Sequence, residues 1–97
     1  AKLNININDK DVFISTGGRE IDINKQSILL MHGSGLSHIV WSLHEQFYIT
    51  NGFNVLSVDL PGHGNSDGPA IISIEKISDW VSDLIKYLKI RHLAFFL

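Results

Sequence analysis

The chain has no cysteine, which excludes disulfide bonds and thiolate metal sites and leaves the redox compartment undetermined. It also has no excess of one charge: eight basic and ten acidic residues give a net charge of -2, and both signs are scattered along the sequence. Without a basic stripe, nothing attracts a phosphate backbone or an anionic lipid surface, so we expect no nucleic-acid and no membrane partner. No apolar run approaches the ~20 residues that span a bilayer, and the N-terminus lacks the pattern of a secretion signal, so a cytoplasmic location is the default.

The length and the two ends limit the domain organisation. With 97 residues, 44% of them apolar, the chain has material for one small core. It opens at Ala1 without an initiator Met and stops at Leu97 inside the apolar run 93–97. Because a terminal carboxylate is costly to desolvate, a native end usually lies in a polar surface segment. We therefore expect both ends to be cuts and residues 1–97 to form a single partial domain.

Two kinds of strand pattern follow one another. Residues 2–8 and 11–16 alternate in polarity around a turn at Asp9-Lys10, which predicts an antiparallel hairpin with one wet face. The runs at 27–31, 55–58 and 93–97 are instead almost continuously apolar, as in parallel strands that are covered on both faces. The second kind of strand alternates with helical stretches, so the predicted fold class is α/β with parallel crossovers.

Two helices are expected between these strands. The first runs from about Ser37 to Thr50 and is followed by the stop signal Asn51-Gly52. Its predicted apolar face consists of Val40, Trp41, Leu43, Phe47 and Tyr48. The second runs from about Ile74 to Lys89, with Ser73 as its N-cap. Its predicted apolar face consists of Ile74, Ile77, Val81, Leu84 and Leu88. Trp41 and Trp80 are interpreted as packing residues.

Both Gly-rich loops of the chain follow buried strands directly. The first loop begins His32-Gly33-Ser34-Gly35, and the second spans residues 59–68, with the sequence DLPGHGNSDG. Ligands of open α/β sheets bind beyond the carboxyl ends of the strands, where these loops are predicted to lie. Glycine lets the backbone approach a bound group and leaves main-chain N–H groups free to face it, which is what an oxyanion hole requires.

The run LMHGSG at residues 30–35, followed by VDLPGHGNS at 58–66, resembles the α/β-hydrolase superfamily over its N-terminal half. The resemblance implies that the backbone N–H of Ser34 belongs to an oxyanion hole, with Gly33 and Gly35 beside the substrate. It implies a supporting role in the two loops for His32, Asp59, Gly62, His63, Gly64 and Ser66. It also implies a sheet in which the hairpin is followed by strands 54–58, 27–31 and 92–97, the last being an uncovered apolar edge open to self-association.

Members of this superfamily carry a G-x-S-x-G nucleophile elbow after the strand that the run 93–97 resembles, with the acid and the histidine further along. The one match in the chain, residues 64–68, lies in the second Gly-rich loop, and none follows the run 93–97. We therefore expect the triad to lie beyond the chain and the 97 residues alone to be inactive, whereas the parent protein would act on a small-molecule substrate without a cofactor. The resemblance leaves the nucleophile open between Ser, Asp and Cys. The reaction is therefore left open between that of an esterase, a thioesterase, a C–C hydrolase, an epoxide hydrolase and a dehalogenase.

Three other interpretations compete with this hypothesis. A metal site is disfavoured because the available residues form no H-x-H or H-E-x-x-H spacing; they are His32, His38, His44, Asp59 and His63. A Rossmann-type nucleotide module is disfavoured because His38 occupies the third glycine position of its fingerprint. A non-catalytic interaction domain of the same fold stays open. For His32 and His63, backbone hydrogen bonding that steadies the loops is favoured over a role as catalytic base.

Overall fold

The computed structural model describes residues 2–71, 73–88 and 93–96. Within them, one mixed sheet is flanked by a 3-10 turn and two α-helices. The elements in chain order are β1 (Lys2–Ile7), β2 (Lys10–Ser15), β3 (Ser27–Met31), the 3-10 turn (His38–Trp41), α1 (Ser42–Thr50), β4 (Asn54–Val58), α2 (Ile74–Leu88) and β5 (Leu93–Phe96). Three of the predicted residues, Lys89, His92 and Leu97, lie outside the described residues.

The sheet has the order β1-β2-β4-β3-β5. Strands β1, β2 and β4 pair antiparallel, whereas β4, β3 and β5 pair parallel. This arrangement confirms the predicted α/β class and the predicted strand order. Every residue of β3 and β4 is buried, as their continuous apolar runs indicate for strands covered on both faces.

The hairpin turn lies one residue earlier than the sequence predicted. Ile7 pairs with Lys10, so the two-residue loop is Asn8-Asp9 and not Asp9-Lys10. Both loop residues have positive φ, 51° and 65°, as the type I′ hairpin turn requires. Asn and Asp tolerate this conformation better than Lys, which places Lys10 at the start of β2.

The first helix begins differently from the prediction. Residues 38–41 form a 3-10 turn, and the α-helix begins only at Ser42. Because a 3-10 turn has three residues per turn, it shifts the phase of the side chains relative to a continuous α-helix from Ser37. The helix ends at Asn51-Gly52 as predicted, with Gly52 at φ +87°.

The second helix begins as predicted. Ser73 caps it: its Oγ accepts the N–H of Lys76 at 3.4 Å, and its backbone oxygen accepts the N–H of Ile77 at 3.0 Å. Because both bonds satisfy donors of the first turn, they fix the point where the chain enters the helix.

The core has two parts, one on each face of the sheet. On the α2 face, the buried side chains of β1–β4 pack against Trp80 and Leu84. On the α1 face, Trp41 and Tyr48 cover a smaller cluster. That cluster consists of Ile28, Leu30 and Val55.

Four residues of the predicted apolar faces are exposed, and their placement was wrong. On the first helix they are Val40, Leu43 and Phe47, with Leu43 85% exposed. Trp41 and Tyr48, seven residues or about two helical turns apart, face the sheet instead, and Phe47 is rotated by about 100° from Tyr48 around the helix axis. On the second helix, Ile74 is 87% exposed because it occupies the first helical position, beyond the reach of the sheet. No helix in the described part of the chain has the length and apolarity to cross a membrane.

Candidate active site

The two Gly-rich loops lie side by side at the carboxyl edge of the sheet. Strands β3 and β4 are parallel neighbours, and their last residues, Met31 and Val58, are register partners. The first loop (residues 32–36) and the second loop (residues 59–68) therefore leave the sheet at the same edge. This is the edge where open α/β sheets bind their ligands.

A tight turn at residues 33–36 shapes the first loop. The N–H of Leu36 donates to the carbonyl of Gly33 at 3.2 Å, and Gly35 has φ +80°. Positive φ at the third position is the mark of a type II turn, and it explains the need for glycine there. Ser34 is then the second residue of the turn. Among the residues that the structure describes, none accepts a hydrogen bond from the Ser34 N–H.

A cavity of about 240 Å³ lies between the two loops and the start of α2. Ser34 lines it together with both loop imidazoles, those of His32 and His63. The other lining residues are apolar: Met31, Leu60, Pro61, Ile71 and Ile77. The first loop thus faces the crevice that it shares with the second loop, while Gly33 and Gly35 flank Ser34 without lining the cavity.

Asp59 organises the base of the second loop. Its side chain is fully buried, and its carboxylate accepts hydrogen bonds from the N–H of Asn65 at 2.9 Å and the N–H of His38 at 2.7 Å. A further contact of 2.8 Å joins the carboxylate to Nδ1 of His38. Burial by itself raises the pKa of Asp59, but the bonds from Asn65 and His38 outweigh it and hold the pKa below its usual value. The carboxylate is therefore charged, enclosed and hydrogen bonded to donors of the protein. It is not free to bind the ribose of a nucleotide, as the acidic residue of a Rossmann-type module would.

The other predicted residues of the second loop close the turn around Asp59. The hydroxyl of Ser66 donates to the backbone oxygen of Asp59 at 2.7 Å, and the N–H of Gly62 donates to the carbonyl of Asp67 at 2.8 Å. Gly64 has φ +51°, and a Cβ atom there would overlap the Asp59 carboxylate. Glycine is thus required at position 64 both by the backbone angle and by the space.

His38 is a site residue that sequence reasoning missed. The sequence interpretation considered it only as a metal ligand and as a mismatch to a nucleotide-binding fingerprint. In the structure it joins the segment after the first loop to the second loop through Asp59, and its ring packs on Phe13 with centroids 4.8 Å apart. Because the two residues are 21 positions apart, one at the start of the 3-10 turn and the other in a loop, periodicity gives no signal for this contact.

Both loop histidines bond to the backbone. Nδ1 of His32, which is buried, lies 2.7 Å from the carbonyl of Gly33, and its Nε2 accepts the N–H of Leu60 at 3.0 Å. Nδ1 of His63 lies 3.0 Å from the carbonyl of Pro61, and its Nε2 accepts the N–H of Gly35 at 3.0 Å. Each ring thus joins its own loop to the other loop.

Comparison with known proteins agrees with this geometry. A profile described as the Alpha/beta hydrolase family matches residues 28–94. The chain belongs to this family. The matched segment of this α/β hydrolase includes both loops, β3 apart from Ser27, all of β4 and the first two residues of β5.

Curated and solved relatives extend the comparison. The pimeloyl-[acyl-carrier protein] methyl ester esterase of Methylococcus capsulatus is 34% identical over 74 residues, which are 76% of this chain and 27% of the esterase. A predicted CIB-like hydrolase from Thermoplasma acidophilum superposes with a TM-score of 0.82 at 24% identity, covering 98% of this chain and 48% of that one. A haloalkane dehalogenase from Agrobacterium tumefaciens C58 gives 0.80 at 21% identity, with 98% and 31% covered.

The chain therefore spans less than half the length of each of these proteins, and it corresponds to the N-terminal part of the fold. The two solved structures, both below 25% identity, show the fold of this α/β hydrolase and not its chemistry. Within the described ranges, no group of three or more His, Asp or Glu residues is arranged to hold a metal ion. His44, the remaining histidine considered as a ligand, packs its ring edge-on against Trp41.

Proposed function

We propose that the protein containing this chain is a hydrolase of carboxylic esters or thioesters, and that the Ser34 N–H donates to the oxyanion of its tetrahedral intermediate. The observation that carries this proposal is that Ser34 lines the cavity between the two loops and that its N–H has no acceptor among the described residues. A fixed main-chain donor of this kind stabilises the negative oxygen that develops during acyl transfer.

The chemistry of the cavity supports an ester substrate with an apolar group. Its walls are mostly aliphatic, with Met31, Leu60 and Ile77 among them, and Asp59 is enclosed behind the second loop. An apolar wall accommodates an acyl or alkyl chain, while the polar reacting centre lies beside the N–H donor. The methyl ester esterase among the relatives supports the same class of reaction.

The remaining catalytic groups are proposed to lie outside this chain. The one G-x-S-x-G match, residues 64–68, lies in the second loop, where the Ser66 hydroxyl donates to the backbone oxygen of Asp59 and accepts the N–H of Phe13. The nucleophile, its histidine and its acid are therefore expected from other residues of the protein. The nucleophile attacks the carbonyl carbon, the histidine takes its proton and returns it to the leaving group, and water then hydrolyses the acyl-enzyme. The 97 residues alone are accordingly expected to be inactive.

The test uses the full-length protein with p-nitrophenyl acetate and two variants of Ser34. Ser34 is the second residue of a type II turn, a position that suits proline, so Ser34→Pro removes the N–H with little backbone strain. We expect Ser34→Pro to lower kcat by about 10²- to 10³-fold, the usual loss for one oxyanion donor. Ser34→Ala keeps the N–H and should lower kcat by less than about fivefold.

Two results would contradict the proposal. One is a folded Ser34→Pro protein whose kcat is within about fivefold of the wild type, because a lost oxyanion donor costs far more. The other is a wild-type protein that hydrolyses 1-bromobutane but no ester or thioester. Circular dichroism of each variant shows whether a loss of activity reflects unfolding.

A further inference from the structure

The imidazoles of His32 and His63 join the two loops reciprocally. Each Nδ1 faces a carbonyl of its own loop, that of Gly33 or of Pro61. Each Nε2 accepts an N–H from the other loop, that of Leu60 or of Gly35. A carbonyl only accepts and a backbone N–H only donates, so both rings must be neutral with the proton on Nδ1.

The bond to Gly35 fixes the peptide next to the proposed oxyanion donor. The Gly35 N–H belongs to the peptide group that follows Ser34, and His63 Nε2 holds this group from the second loop at 3.0 Å. The other end of the same turn is closed by the bond from Leu36 to Gly33. The Ser34 N–H therefore lies between two fixed points, the Gly33 carbonyl, which Leu36 and His32 hold, and the Gly35 N–H, which His63 holds. Protonation of His32 leaves the proton on Nδ1 that faces Gly33, whereas protonation of His63 removes the acceptor of the Gly35 N–H.

We propose that His63 is a positioning residue for the first loop, acting through the Gly35 N–H, and that protonation of His63 releases this loop. The inference rests on the proposed function, because it assigns a role in orienting the Ser34 N–H. Protonation places an N–H on Nε2, where it faces the N–H of Gly35 at 3.0 Å; the hydrogen bond is lost and two donors confront each other.

Among the described residues, no carboxylate forms an ion pair with His63 that would compensate for this loss. The ring of His32 lies against that of His63, with centroids 5.1 Å apart, and a charge on one ring opposes a charge on the other. Asp59 and Asp67 of the same loop are already bound to donors, Asp59 to His38 and Asn65 and Asp67 to the backbone N–H of Asp11. On the side of α2, the cavity wall is the uncharged Ile77, and the first loop contributes Ser34.

Two isosteric variants separate the roles of the ring nitrogens. In His63→Gln, the side-chain oxygen reaches the position of Nε2 and can accept the Gly35 N–H at any pH. In His63→Asn, the shorter amide reaches the position of Nδ1 and keeps the bond to Pro61 but not the bond to Gly35. His44→Gln changes an exposed histidine on α1, away from both loops, and serves as the matched control.

Kinetics of the full-length enzyme give the first readout. We expect His63→Asn to lower kcat about tenfold or more with KM within about twofold, because a misplaced donor affects the transition state more than binding. We expect His63→Gln to lose no more than about threefold and to decline less steeply between pH 8 and pH 5, the range in which imidazoles titrate. Equal kcat values for the Asn and Gln variants would overturn the proposal, as would a His63→Gln profile as steep as that of His44→Gln.

Nuclear magnetic resonance gives a second readout that does not need activity. On acidification from pH 8 to pH 5, the Gly35 amide proton should shift upfield in the wild type and stay fixed in His63→Gln. The Gly52 amide, bonded to the carbonyl of Ile49 at the end of α1, is the internal control. A Gly35 amide that does not respond in the wild type, or a His63 ring protonated on Nε2 at pH 8, would overturn the inference. If the wild type hydrolyses no ester, the proposed function fails, while these spectra still decide whether His63 holds the loop.

Discussion

Replacement of Asp59 by alanine tests whether the carboxylate holds the two loops together. The change removes the acceptor of three contacts, two from His38 and one from Asn65. A buried donor left without a partner costs about 1–3 kcal/mol, and two of these donors are backbone N–H groups that cannot turn away. Because Asn65 is exposed, water can reach its N–H and relieve part of that cost. We expect Asp59→Ala to lower the free energy of unfolding by about 3 kcal/mol, measured by urea titration of the full-length protein at pH 7.

The pH dependence of this effect follows from the lowered pKa of Asp59 in the folded state. The unfolded state binds the proton more tightly, so the stabilisation is complete above the ordinary carboxyl range and is lost as the pH falls through the folded pKa. The difference in stability between the wild type and Asp59→Ala should therefore be largest near pH 7 and shrink below about pH 4.

The surface variant Asp79→Ala is the control for Asp59→Ala, with an expected change within about 0.5 kcal/mol at every pH. A loss below about 1 kcal/mol for Asp59→Ala, less than one unsatisfied donor costs, would refute the reasoning. So would a loss that does not change between pH 7 and pH 3.

Two other changes test the packing of the second loop and the edge of the sheet. In thermal unfolding, Gly64→Ala should destabilise the protein by about 1–2 kcal/mol for its left-handed backbone, and further because the new Cβ overlaps the Asp59 carboxylate. Gly52→Ala is the control: Gly52 has φ +87° but open space around it, so this variant carries the backbone cost alone. Equal losses of stability for the two variants would argue against the overlap. The isolated 97-residue chain should associate through β5, because no strand in the described part of the chain pairs with the outer edge of β5. Analytical ultracentrifugation that shows a single monomeric species at every concentration would contradict this prediction.

The sheet could be predicted from the sequence because its patterns are simple. Alternation at 2–8 indicates one wet face, and continuous apolar residues at 27–31 indicate two covered faces; the structure contains both kinds of strand. The order of the strands was not contained in these patterns. It came from the resemblance carried by the two Gly-rich loops, whose order and spacing are typical of one family.

The helix faces and the contacts within the site could be predicted only in part. The predicted face of the first helix covered too wide an arc: Phe47 is rotated by about 100° from Tyr48 in the same α-helix, so Tyr48 packs on the core while Leu43 and Phe47 are exposed. The pairing of His38 with Asp59 depends on how the 3-10 turn and the second loop come together in space, which single-residue propensities do not describe. The bonds of His63 were foreseen as support for the turn, but its bond to the other loop was not.

The hairpin contributes to the site although it lies at the far edge of the sheet. The N–H of Phe13 donates to the hydroxyl of Ser66 at 2.9 Å, and Asp11 exchanges two bonds with Asp67, each 2.9 Å long. Strand β2 thereby holds the second loop, and the second loop in turn holds the first through the imidazole of His63. A displacement of β2 should therefore reach the first loop through bonded groups. Because each step joins backbone atoms of one segment to a side chain or backbone of the next, the hairpin and the two loops behave as one support for the Ser34 N–H.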